Sequence, residues 1–213
     1  MAEIKHHLTD QLLMGYAAGT LPEAFSLVVA THVSLCDECR SRLGEFEAVG
    51  GEVMMSAGSV SMSNDAFAAT MALIANMPEA PRKRYAKGIF PAPLQDYVGG
   101  DKDDVRWRPV GGGVRQMILA SDGGATVRLL HIPGGVAVPD HGHRGLELTL
   151  VLQGAFKDES DRFGVGDVEV ANEDLNHTPI AEEGEACICL AATDAPLKFN
   201  SFLPRIAQRF VKI

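Results

Sequence analysis

The sequence predicts an α+β chain in two parts, a small all-α helical domain followed by an all-β barrel. Three observations predict it. Apolar residues recur at helical spacing up to Met77 and at strand spacing from Val114 onward. Between the two regimes, Pro78, Pro81, Pro91 and Pro93 surround Arg82-Lys83-Arg84 and Lys87. Prolines so placed stop helices and cannot sit in a central strand, so this stretch reads as a solvated interdomain linker. Charge divides the same way: residues 1–79 carry net −7, 80–115 net +4 and 116–213 net −6, within an overall −9. The expected boundaries are 1–80 for the helical domain, 81–95 for the linker and 96–213 for the barrel.

With 213 residues and 46% hydrophobic content, the chain can bury a core and is not a disordered protein. No apolar run is long enough to cross a membrane, and MAEIKHHLTD lacks the basic and apolar regions of a secretory signal. These features predict a cytoplasmic protein. The acidic balance excludes a basic face for direct nucleic-acid binding.

In the first part, Leu8, Leu12, Leu13, Tyr16 and Ala17 mark a first helix, with Thr9 or Asp10 as cap and Gly19 as stop. Thr20-Leu21-Pro22-Glu23 reads as a capping box that opens a second helix burying Phe25, Val28 and Val29. A third helix starts near Cys36, carries Leu43, Phe46 and Val49, and should end at Gly50-Gly51. Residues 50–64, rich in Gly, Ser and Met, read as a mobile stretch. Phe67, Met71, Ile74 and Met77 then form an apolar stripe on a fourth helix, detached from the other three. In the second part, 114–120, 125–132, 146–152, 168–171 and 186–192 read as short strands separated by glycine turns, the pattern of a sandwich or barrel.

Two clusters of metal-ligand residues stand out. His32-x3-Cys36-x2-Cys39 brings three ligands to the junction of the second and third helices, and a structural zinc site needs a fourth. His7, directly before the first helix, is the favoured fourth ligand, with His6 the fallback. A thiol redox pair and two buried free cysteines are the alternatives, and the redox pair needs a βαβ surround that this helical region lacks. Together with the Leu12-Leu13 pair and the Tyr16–Leu21 turn, these residues resemble the zinc-binding anti-sigma domain over about residues 4–80. That resemblance implies a clamp that binds an extracytoplasmic-function sigma factor and blocks its access to core RNA polymerase. It also accounts for the detached fourth helix, which in such domains packs on the partner.

The second cluster is Gly135-x5-His141-x-His143-x3-Glu147-x6-Gly154. Residues 141, 143 and 147 share parity, so on a strand they face one side, the lumen of a small barrel. This spacing resembles the first cupin motif throughout. A second-motif counterpart is Gly166-Asp167 followed by His177, although Val165 replaces the usual proline and the asparagine after the histidine is missing. Three imidazoles and a carboxylate suit Zn, Fe, Mn, Ni or Cu; zinc is expected here too. Little polar surround is expected around these ligands, which argues against a dioxygenase-like cupin enzyme, the alternative to a regulator. His131 reads as a core or strand-end histidine. Cys187 and Cys189, at i and i+2 on a strand, read as buried thiols, with a redox sensor the alternative.

The two parts together resemble the ChrR family of anti-sigma factors over nearly the whole chain, including Gly111–Gln116, Val138–Glu147 and Cys187–Ala192. The resemblance implies a non-enzymatic regulator that holds a sigma factor until singlet oxygen or related oxidants act, with the cupin-like part as sensor.

Overall fold

The computed structural model describes residues 3–78, 83–122, 124–142, 144–195 and 198–199; His143, Pro81 and Arg82 lie outside the described residues. Among the described residues, five α-helices come first: α1 (Asp10–Ala17), α2 (Glu23–Val33), α3 (Asp37–Ser56), α4 (Ala66–Asn76) and α5 (Ala92–Val98). A short 3-10 turn at Lys102–Asp104 leads into the β region. Its strands are β1 (Arg108–Gly111), β2 (Val114–Asp122), β3 (Ala125–Ile132), β4 (His141–Gly142), β5 (Glu147–Gln153), β6 (Phe156–Lys157), β7 (Arg162–Phe163), β8 (Val168–Ala171), β9 (Asn176–His177), β10 (Ile180–Ala181), β11 (Cys187–Thr193) and β12 (Lys198–Phe199).

Thr9 caps α1 through its side chain, which accepts from the Leu12 amide. The expected capping box at Thr20 does not form. Thr20 Oγ1 instead donates to Gly15 O at 3.2 Å, tying off the end of α1, and Pro22 precedes α2 without a side-chain cap. Nor does α3 stop at Gly50-Gly51. Neither glycine adopts a positive φ, the conformation that ends helices at glycine, and the helix continues to Ser56. The prolines of the basic stretch also act differently from expectation. Pro91 and Pro93 sit at the start of α5, where a missing N–H costs nothing, and they open a helix rather than breaking one. Leu94 and Phe90 are buried, and the Gln95 amide donates to Ala86 O and Phe90 O. Residues 89–95 are therefore packed structure, and Lys83 pairs with Asp96 at 2.8 Å.

The largest sheet is six-stranded and antiparallel, in the order β1-β2-β3-β11-β5-β8. Two three-stranded sheets, β10-β6-β7 and β12-β4-β9, accompany it, and among the described residues the three sheets are not closed into one barrel. The expected strands match β2, β3, β5, β8 and β11 to within a residue or two. Helix α2 packs on β2, β3, β5 and β11. Phe25, Val28 and Val29 thereby join Leu129, Leu148, Leu150 and Leu190 in one hydrophobic cluster that also takes in Leu12, Leu13 and Leu94. Helix α4 is the exception, since none of its residues is buried.

Candidate metal centres

The first centre assembles at the junction of α2 and α3. Helix α2 ends at Val33, and the Cys36 amide still donates to His32 O at 2.8 Å, so the chain makes one more tight turn. Cys36 is then the N-cap of α3, with its sulfur accepting from the Cys39 amide. His7 arrives from the segment before α1, which Arg42 of α3 holds through Leu8 O and Asp10. The result is a group of four, His7, His32, Cys36 and Cys39, whose donor atoms all lie within 4.8 Å of one another.

Each imidazole has one nitrogen committed elsewhere. His32 Nδ1 lies 2.9 Å from Gly166 O, and a carbonyl only accepts, so Nδ1 carries the proton. Nε2 then holds the lone pair; it is buried and has no partner. His7 Nε2 lies 3.3 Å from Glu38 Oε2, which leaves Nδ1 facing Cys36 Sγ at 3.3 Å and Cys39 Sγ at 3.7 Å. Tetrahedral zinc, with bonds of roughly 2.0–2.3 Å, sets its ligands about 3.4–3.8 Å apart. Burial pushes His32 down to about 4 and Cys39 up to about 11. A largely buried set of two imidazoles and two sulfurs with an orphaned imidazole nitrogen fits a divalent cation, which would hold the sulfurs as thiolates. His7 joins the cluster. His6 does not: it faces Asp161 at 3.1 Å and Asp167 at 3.5 Å.

The second constellation is built differently from its sequence pattern. His141 and Glu147 do not share a strand. His141 lies on β4 and Glu147 opens β5, in another sheet. His141 and His177 are brought together because β4 pairs with β9, placing them directly opposite with ring centroids 4.7 Å apart. Burial lowers His141 to about 4 and raises the Glu147 carboxyl, which Thr149 Oγ1 meets at 3.2 Å.

The surround is more polar than expected. Asp158, on the loop after β6, and Glu169, inside β8, both face His177 Nδ1, at 2.7 Å and 3.2 Å. These three residues form a second group with donors within 4.8 Å. Burial raises the Glu169 carboxyl to about 7. Burial also opposes ionisation of Asp158, but hydrogen bonds with Glu169, Ser160 and His177 outweigh it and hold that carboxyl low. For His177, burial is outweighed by Glu169 and Asp158, which lift it to about 9. The only sequence sign of Glu169 was a charge inside the apolar strand Val168–Ala171; Asp158, a loop residue, gave none.

His131 is a strand residue, as expected, with Arg115 Nη2 donating to its Nε2 at 2.9 Å and Trp107 edge-on at 5.5 Å. Cys187 and Cys189 are buried with sulfurs 3.3 Å apart, and the hydrogen bond from Cys187, with burial, drives the Cys189 thiol well up. Both are packed in the core, and the Cys189 thiol is held away from the thiolate that reactivity needs. Among the described residues, no helix is long and apolar enough to cross a membrane.

Comparison with known proteins agrees with this architecture. Residues 95–195 match the family described as the ChrR cupin-like domain. Anti-sigma-E factor ChrR of Cereibacter sphaeroides is 62% identical over 211 residues, covering 99% of both chains. A chain in the crystal structure of Rhodobacter sphaeroides SigE in complex with the anti-sigma ChrR superposes with a TM-score of 0.80 at 60% identity, covering 90% of this chain and 99% of that one.

Proposed function

This chain belongs to the ChrR family of anti-sigma factors, and from that membership we propose that it binds an extracytoplasmic-function sigma factor and holds it inactive. The observation that carries the reading is α4. A helix with no buried residue exposes Phe67, Met71, Leu73 and Ile74, with Met77 just beyond its end. The end of α3 adds exposed Val49, Val53, Met54 and Met55. Apolar surface of this extent on a soluble chain marks a protein interface. Covering each large side chain would contribute roughly 1.5–3 kcal/mol.

In this reading residues 1–80 are the clamp, 81–95 the connector and 96–213 the cupin-like part. Zinc at His7, His32, Cys36 and Cys39 staples the clamp. A second metal, expected to be zinc, is held by His141, His143, Glu147 and His177, with Asp158 and Glu169 bracing His177. The cupin-like part senses singlet oxygen or a related oxidant and triggers release of the sigma factor. The protein works in the cytoplasm, on a protein partner and not on DNA, as a regulator and not a catalyst.

The test is reconstitution. The full chain, co-expressed with the sigma factor encoded beside it, should purify as a 1:1 complex that core RNA polymerase does not dissociate. Light with a photosensitiser should release the sigma factor, and darkness should not. Absence of a complex would refute the anti-sigma reading; a complex indifferent to singlet oxygen would refute the sensor.

A further inference from the structure

The turn between β7 and β8 touches the first metal centre although it belongs to the cupin-like part. Gly166 O holds His32 Nδ1 at 2.9 Å. Next to it, the buried Asp167 carboxylate accepts from the amides of Lys5 at 2.7 Å and His6 at 3.0 Å, through one oxygen. Its other oxygen accepts from Gly164 N at 2.8 Å, which closes the turn itself. The Val168 amide then donates to His6 O at 3.2 Å. The segment that delivers His7 is thus clasped backbone to backbone by the start of β8.

Packing seals the clasp. Gly166 has φ +92°, and a Cβ there would come within 2.6 Å of Ile4 Cδ1, so Ile4 lies directly on the glycine. Two of the four donors of the first centre are therefore set by one turn, His32 through its ring nitrogen and His7 through the chain before it. The same strand carries Glu169, which faces His177 at 3.2 Å. Strand β8 has a hand on both constellations.

We propose that Gly166 and Asp167 are positioning residues for the first metal centre, so that the cupin-like part governs how firmly the clamp retains its metal. The inference rests on the zinc reading of that centre. Partners that fix the tautomer and orientation of a ligating histidine typically change metal affinity about 10–100-fold. Here those partners come from the other end of the chain. A displacement of β8 at Glu169 would reach Asp167 two residues away and loosen His7 and His32 together.

The experiment compares zinc transfer from the full-length chain to an excess of chromogenic chelator in the wild type, Asp167→Ala and Ile4→Ala. Asp167→Ala removes the acceptor; Ile4→Ala loosens the grip from the other side and leaves the turn's own hydrogen bonds intact. Both variants should release the first zinc faster, Asp167→Ala by about 10–100-fold. Nitrogen-15 spectra of the variants should also show His32 losing its fixed Nδ1–H tautomer. Wild-type release rates in both variants would overturn the proposal, as would acceleration confined to Asp167→Ala, which would trace to the turn's own fold. If Asp167→Ala does not fold, Ile4→Ala decides alone. A wild-type chain with no zinc at this centre would overturn the metal reading and the clasp with it.

Discussion

The Nδ1–H of His32 donates to the carbonyl of Gly166 at 2.9 Å, joining residues 134 positions apart. This one bond fixes the tautomer of a buried imidazole, aims its lone pair at Cys36 and Cys39, and ties the helical part to the β region. Helix α2 therefore does two jobs. Its apolar face packs on the six-stranded sheet, and its last turn presents His32 to the metal centre.

Removing a thiolate should empty that centre. Cys36→Ser and Cys39→Ser are each expected to lower zinc by one per chain, measured by elemental analysis of the purified protein. Structural zinc sites carry on the order of 10–16 kcal/mol of apparent binding energy that is also folding energy. Helices as short as α1 are marginal alone, so amide exchange in residues 8–45 should rise sharply. Unchanged zinc in both variants would refute the centre.

The adjacent histidines should behave differently. His7→Ala is expected to lose zinc, because its Nδ1 faces both sulfurs. His6→Ala should keep it, since His6 faces Asp161 and Asp167. Equal zinc loss in the two variants would show that the His7 geometry is not the one that binds.

The first centre was legible because its spacing is local: His32, Cys36 and Cys39 lie within eight residues, and helix geometry alone brings them together. His7 could only be favoured over His6, because the choice depends on Glu38 and on Asp167, a residue 160 positions along the chain from His7. The β-strands were legible from alternation and glycine turns. Strand parity failed at 141–147 because the chain leaves β4 after Gly142 and joins a different sheet at Glu147. Asp158 and Glu169 were invisible because sheet pairing, not sequence spacing, carries them to His177. The prolines misled for a local reason: the positions that break a helix interior are tolerated at its first turn.

Leu94 tests the packing of residues 89–95 against the core. Leu94→Ala is expected to destabilise the chain by about 2–5 kcal/mol, the usual cost of emptying a core site. In a solvated linker the same change would stay within about 0.5 kcal/mol. Chemical denaturation of the zinc-loaded protein distinguishes the two outcomes.

Charges on α4 should separate binding from folding. Phe67, 78% exposed, and Ile74, 56% exposed, make no buried contact in the free chain. Phe67→Asp and Ile74→Asp should therefore change stability by less than about 0.5 kcal/mol. Each should weaken sigma-factor binding at least about tenfold, since a buried anchor is worth about 1.5–3 kcal/mol and a tenfold change needs about 1.4. Calorimetric titration with the sigma factor reads the effect directly. Undiminished affinity in both variants would move the interface elsewhere on the chain.

Asp158 and Glu169 decide what kind of site surrounds His177. If they brace a ligand, Asp158→Asn preserves shape and a hydrogen-bond acceptor, and should weaken the second metal about 10–100-fold without abolishing it. Glu169→Gln should have a smaller effect, because burial already pushes the Glu169 carboxyl toward its neutral form and an amide replaces it closely. His177→Ala and His141→Ala should abolish the second metal outright. If instead Asp158, Glu169 and His177 form a cation site of their own, the order reverses: both carboxylate variants lose the metal and His141→Ala retains it. Competition with a chelator across the four variants ranks them, and only the first ranking is compatible with a metal held between β4 and β9.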